Sequence, residues 1–130
     1  MYLIKLNATS STNDFLKHLA VKQSLSNFTV VWADVQTNGR GQMGAEWVTE
    51  SSKNLTFSVL LNSLNLQTPD LFTLNVMIAN AVSKALESYN LTNIWVKWPN
   101  DILSYNKKVA GILIENNIKA DGSIQSVIGI

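Results

Sequence analysis

Residues 27–35, Asn27-Phe28-Thr29-Val30-Val31-Trp32-Ala33-Asp34-Val35, carry apolar side chains on both faces of an alternating pattern. A strand with that pattern needs cover on two sides, which makes it an interior strand of a layered sheet. Shorter strand signals surround it. Tyr2 to Asn7 sets Tyr2, Ile4 and Leu6 on one face, and Leu55 to Leu61 alternates cleanly. Asn93 to Trp98 is a further strand, stopped by the turn tripeptide Pro99-Asn100-Asp101. Ile102 to Tyr105 and Lys108 to Glu115 form a hairpin about Asn106-Lys107, and Asp121-Gly122 turns the chain into a last strand from Ser123 to Ile130.

Two segments change to helical spacing. Phe15, Leu16 and Leu19 follow Ser11, a fair N-cap, and Asp14, an acid suited to the positive helix end. Leu71, Leu74, Ile78, Val82, Ala85 and Tyr89 follow the start signal Thr68-Pro69-Asp70 and space a helix of about five turns. That helix is apolar nearly all round and is expected to pack under the sheet as scaffold.

Composition limits the chemistry. At 130 residues, 46% apolar and 15% charged, the chain is expected to be one compact domain. A net charge of +1 without a basic run argues against nucleic acid as the main partner. Without cysteine there is no disulfide, thiolate nucleophile or thiolate metal site, and the single histidine, His18, cannot build a histidine-rich metal site. No run reaches about 18 apolar residues and no signal peptide is recognisable, so a cytoplasmic location with no membrane partner is expected.

The densest motif is Gly39-Arg40-Gly41-Gln42-Met43-Gly44-Ala45-Glu46-Trp47, with three of the six glycines and the only arginine among ten basic residues. Glycines let backbone N–H groups approach an anion, a guanidinium grips phosphate or carboxylate bidentately, and a tryptophan offers a stacking face. Two readings stay open: a mobile loop closing over an anionic, partly aromatic ligand, or a glycine-softened connection. The match to G-x-G-x-x-G is formal only, since residues 46–54 carry no helical apolar stripe and no acid falls about 20 residues on at a strand end. Lys108 shares a face with Ala110, Ile112 and Ile114, either awaiting an anion or reaching to water. Lys97-Trp98-Pro99-Asn100-Asp101 is either a bare turn or a cation, amide and carboxylate set beside a magnesium–nucleotide. Ser10 to Asn13 either cap a helix or bond a polar ligand head.

Taken together and in order, Ser11-Thr12-Asn13, Gln36 with Gly39-Arg40-Gly41-x-x-Gly44-x-x-Trp47, Lys97-Trp98-Pro99-Asn100-Asp101 and Lys108-Val109-Ala110-Gly111-Ile112-Leu113-Ile114-Glu115 resemble the catalytic domain of the biotin protein ligases. The resemblance covers essentially the whole chain. It implies an α+β fold of the class II aminoacyl-tRNA synthetase-like type, with helices packed on a mixed β-sheet. Residues 1–130 would be the N-terminal portion of that domain, without its end and without the small SH3-like C-terminal domain. It implies ATP, Mg2+ and biotin as ligands, a biotin carboxyl-carrier domain as protein partner, and activation of biotin to biotinyl-5′-AMP before transfer to a carrier lysine. Arg40 and Lys108 are the expected catalytic residues. Ser11, Thr12, Asn13, Gln36, Gly39, Arg40, Gly41, Gln42, Lys108 and Gly111 are the expected biotin set. Arg40, Trp47, Lys97, Asn100, Asp101 and Lys108 are the expected nucleotide set, with Asp101 nearest the metal.

The resemblance has departures. Gln42 and Ala45 stand where the family loop often carries arginine, which predicts weaker retention of the adenylate. No helix-turn-helix precedes the first strand, so a repressor role is not expected, and a homodimer is left open. A lipoate or octanoate ligase of the same superfamily, and a truncated non-catalytic biotin-binding fragment, are the alternatives.

Overall fold

The computed structural model describes residues 2–64 and 70–130. The chain forms two compact units, Met1–Asn65 with Leu113–Ile130, and Leu66–Ile112.

The first unit is a mixed five-stranded sheet carrying one helix. Its strands are β1 (Tyr2–Thr9), β2 (Thr29–Gln36), β5 (Thr56–Leu64), β9 (Leu113–Ile118) and β10 (Ile124–Gly129), and its helix is α1 (Thr12–Lys22). They lie in the order β1-β2-β5-β10-β9, with β1 and β2 parallel and the other pairs antiparallel. Parallel neighbours need a crossover, and α1 supplies it. Its inward stripe fixes where it lands. Leu16 is fully buried with Val31, Leu60 and Val127, and Ile4, Leu6, Phe15, Ala20 and Leu25 pack around them. A side chain buried as completely as Leu16 contributes about 1.5–3 kcal/mol.

Strand β2 lies inside the sheet, as its two apolar faces require, but it starts at Thr29 rather than Asn27. Phe28 holds a positive φ of 61° and leaves the strand geometry, while Thr29 donates its hydroxyl to the Ser26 carbonyl.

The second unit contains α2 (Asp70–Ser88) and the antiparallel strands β6 (Ile94–Lys97), β7 (Asp101–Ser104) and β8 (Lys107–Gly111), ordered β6-β7-β8. The start signal at Thr68 and Pro69 lies outside the described residues. Helix α2 packs on β6 and β7, with Leu74, Ala79 and Ser83 buried. Phe72 and Met77 on the same helix stand more than half exposed.

The expected strand Lys108 to Glu115 is two strands, β8 in the three-stranded sheet and β9 in the five-stranded one. Ile112 breaks it. Its N–H donates to the Asn100 carbonyl at 2.8 Å, and its own carbonyl accepts from Asn100 Nδ2 at 3.2 Å. Both backbone groups are therefore taken by a turn residue and cannot continue a ladder. Lys108 consequently does not share one continuous strand face with Ile112 and Ile114.

Candidate functional site

The start of α1 is a dry polar cluster. Helix termini leave their first N–H groups without intrahelical partners. Here Ser11 caps one, its Oγ accepting from the Asp14 N–H at 3.3 Å. Gln36, at the end of β2, takes another, its Oε1 accepting from the Thr12 N–H at 2.8 Å and the Thr12 hydroxyl at 3.2 Å. Ser58 on β5 stands 2.8 Å from Thr12 Oγ1 and donates to Asn13 Oδ1 at 2.5 Å. Asn13 Nδ2 then donates to Glu115 Oε2 at 2.8 Å. Ser11, Thr12, Asn13 and Ser58 are all buried, and among the described residues no buried side-chain polar atom lacks a partner. Side chains fixed this way present hydroxyl and amide groups at set angles, which is what selective recognition of a small polar ring needs.

The glycine-rich stretch is built rather than slack. Gly39–Arg40 (β3) pairs with Glu46–Trp47 (β4) across a single 3-10 turn, Gln42–Gly44, and the Gly41 N–H closes it on the Ala45 carbonyl at 2.7 Å. Gly39 is required by close approach. A Cβ there would strike the Trp47 carbonyl and come within 2.5 Å of Gln36 Nε2, so glycine alone lets the hairpin lie against the Gln36 side chain. Met43 at the tip has φ 54° and is fully exposed, while Trp47 is half-buried.

The Arg40 side chain meets carboxylates of the protein itself. Its Nη2 lies 2.5 Å from Asp14 Oδ1 and 3.2 Å from Glu115 Oε1, so protein carboxylates hold it. Lys17 closes a ring, 2.9 Å from Asp14 Oδ1 and 2.9 Å from Glu115 Oε1. Burial of Glu115 opposes its charge, but hydrogen bonds from Lys17 and Asn13 and the nearby Lys17 and Arg40 charges outweigh it, holding the carboxyl below its ordinary range. The Lys17 ammonium moves the other way. Desolvation opposes its charge and is overcome by Glu115 and Asp14, so its pKa is raised.

In the second unit, Lys97 and Asp101 face each other across β6 and β7 about the turn that contains the cis Trp98–Pro99 bond. The Phe72 and Trp98 rings meet at 5.1 Å, tilted by 48°. A register shift between Ile102 and Leu103 leaves Val109 unpaired in β8, and such bulges re-aim neighbouring side chains. Lys108 Nζ lies 2.7 Å from Asp101 Oδ1. Asn100 is engaged in clamping Ile112, and Gly111 is buried beside it. The first unit thus carries Ser11, Thr12, Asn13, Gln36, Gly39, Arg40, Gly41, Gln42 and Trp47. The second carries Lys97, Asn100, Asp101, Lys108 and Gly111. Sequence reasoning missed Ser58, Asp14, Lys17 and Glu115 as members of the first set. Ser58 left a signal, a polar side chain alternating with Leu60 on the inward face of β5. Glu115 closes the Lys108–Glu115 motif, but its partners, 102 and 98 positions away, left no mark in the sequence.

An α+β domain with a desolvated hydroxyl–amide cluster under a glycine hairpin defines a small-ligand protein. The chain belongs to the biotin/lipoate A/B protein ligase family, whose model matches residues 6–130. The bifunctional ligase/repressor BirA of Bacillus spizizenii is 35% identical over 131 residues, covering 99% of this chain and 39% of that protein. The biotin–[acetyl-CoA-carboxylase] ligase of Paracoccus denitrificans is 30% identical over 96% of this chain and 51% of its own length. Among solved structures, the biotin protein ligase from Aquifex aeolicus in complex with biotin and ATP aligns with a TM-score of 0.78 at 35% identity, over 99% of this chain and 51% of that one. The chain therefore spans between about two-fifths and one-half of the length of these relatives. Among the described residues no helix is long and apolar enough to cross a membrane.

Proposed function

We propose that this chain carries the biotin-activating machinery of a biotin protein ligase. In the first step a biotin carboxylate oxygen attacks the α-phosphorus of ATP. The bond to the β-phosphate oxygen breaks, pyrophosphate leaves, and the mixed anhydride biotinyl-5′-AMP remains. In the second, the ε-amine of a lysine on a carboxylase biotin-carrier domain attacks the acyl carbon. AMP leaves, an amide forms, and the amine's proton passes to solvent.

The observation that carries the reading is the hydrogen-bonded cluster of buried Thr12, Asn13 and Ser58 with half-buried Gln36, beside the Gly39–Arg40 hairpin strand. The ureido ring of biotin has two donors and one acceptor. Ser11, Thr12 and Gln36, with the backbone of Arg40 and Gly41, are proposed to bond it. Trp47 is proposed to lie against adenine, and Lys97, Asn100 and Asp101 to support the nucleotide. Lys108 is proposed to meet the biotin carboxylate and the α-phosphate, offsetting the repulsion of two anions, while positioning supplies much of the remaining acceleration. Magnesium enters as the ion carried by ATP. Asp101, which lies 2.7 Å from the Lys108 ammonium, is the residue proposed nearest that ion.

The family includes lipoate ligases, and the cluster favours biotin over lipoate because a dithiolane ring offers no N–H or carbonyl to match it. Pyrophosphate release measured with chain and Mg-ATP, adding biotin or lipoate separately, tests the assignment. Release with biotin alone supports it; release with lipoate moves the chain to the other branch. Biotin binding without release leaves a binding fragment.

A further inference from the structure

Glu115 is the junction of the first unit's polar groups, yet it lies outside every ligand set assigned above. Its two oxygens receive charged or polar groups from separate elements. Lys17 Nζ and Asn13 Nδ2 come from α1, at 2.9 and 2.8 Å. Arg40 Nη2 comes from β3, at 3.2 and 3.4 Å. Asp14 completes an alternating ring of two acids and two bases, so each cation touches both carboxylates. Glu115 also sits opposite Val127, a residue of the hydrophobic core under α1, and its side chain is only 25% exposed. The carboxylate is therefore set by the packed sheet rather than by the surface chain.

We infer that Glu115 is a positioning residue: through Arg40 it latches the glycine hairpin to the first turn of α1, and through Asn13 it fixes the buried hydroxyl–amide cluster at that same turn. One carboxylate then sets the relative placement of the two surfaces that the function proposed above, on which this role depends for its purpose, assigns to the ureido ring. On this view the Arg40 side chain anchors the hairpin and its backbone faces the ligand. A single exposed ion pair would be too weak for the task. A closed ring that includes a core-supported carboxylate and a charge-assisted amide bond is not.

The chain's only arginine makes the latch directly readable. An arginine-specific endoproteinase has one cleavage site, Arg40–Gly41, and cuts only when the Arg40 side chain leaves its carboxylates and the hairpin opens. The expected result with ligand-free protein is that Glu115→Gln accelerates cleavage about tenfold, the effect of losing roughly 1.4 kcal/mol of closing free energy. Raising salt to about 0.5 M, where charges are screened within a few ångströms, should accelerate wild-type cleavage and change the variant far less. Asp14→Asn, which cuts the ring on its other side, should behave similarly. Lys5→Gln, which breaks the Lys5–Asp34 pair elsewhere, is the control and should leave the rate unchanged. Unchanged cleavage in Glu115→Gln overturns the latch. So does an acceleration that Lys5→Gln shares or that salt does not affect, since either marks general loosening. No ligand is needed, so the result stands apart from biotin binding. If the chain does bind biotin, Glu115→Gln should also weaken its affinity by a similar factor.

Discussion

Replacing Gly129 by alanine would place a methyl group 2.6 Å from Asn13 Oδ1 and 3.1 Å from its Cγ. Gly129 pairs with Ser58 on one side and Leu113 on the other, just where the Asn13 side chain descends from α1 onto the sheet. The methyl cannot yield, being fixed to a central strand, so Asn13 must. Moving it breaks the buried bond from Ser58 and the part-buried bond to the Glu115 carboxylate. A neutral hydrogen bond contributes about 1 kcal/mol and one to a charged group about 1.5–3 kcal/mol. The expected cost is thus about 2–4 kcal/mol, a fall in Tm on the order of 10 °C for a chain of this size. Chemical denaturation of four proteins measures it: wild type, Gly129→Ala, Asn13→Ala and the double variant. If the clash with Asn13 is the cause, Gly129→Ala should cost less than about 0.5 kcal/mol in the Asn13→Ala background, a large coupling for two residues in contact. An equal cost in both backgrounds would refute the reasoning and point to strain in β10 itself.

Other outcomes follow from the same contacts. The Glu115 pKa is depressed below 4.5 and that of Lys17 raised above 10.5, so the two titrate in opposite senses. The Glu115 contribution is fully present above its unfolded value and lost as pH falls through its depressed one. The Lys17 contribution is present below its unfolded value and lost as pH rises through its raised one. The stability difference between wild type and Glu115→Gln should therefore shrink as pH falls below the ordinary carboxylate range; a constant difference from pH 7 to pH 3 contradicts the ring. Lys108→Ala should lower the rate of pyrophosphate release by about 10²–10³-fold if its charge acts on the transition state, with biotin affinity changed far less. Gln42→Arg should slow dissociation of biotinyl-5′-AMP in a single-turnover assay, and an unchanged off-rate removes the idea that the missing cation weakens retention.

Features that depend on neighbours in sequence were legible. Ser11 as a cap, Asp14 in the first helical turn and the turn at Gly122, with its φ of 82°, all follow from local backbone chemistry. The rejection of a dinucleotide loop also stands, because only a three-residue 3-10 turn follows Gly41. The break at Ile112 was invisible, since the alternation in the sequence runs on through it and only Asn100, 12 positions earlier, takes its backbone groups. The ion partners of Arg40 were hidden for the same reason. Its type announces an anion, but whether that anion is a ligand or Glu115 depends on pairing 75 positions away in the chain. The expected fold class, α+β, agrees with the family and its solved members.

Strand β10 lies between β5 and β9, so residues 124–129 fill an interior position of the five-stranded sheet and bring β9 onto it. On a ribosome, the first helix and the glycine hairpin emerge long before Leu113, Glu115 and Gly129, the groups Asn13 rests on. Until those late residues arrive, Asn13 and Ser58 have nowhere dry to meet. The hydrogen bonds of Asn13 therefore join the first helix to a strand about a hundred residues on, a pairing whose closure carries the entropy of a long loop.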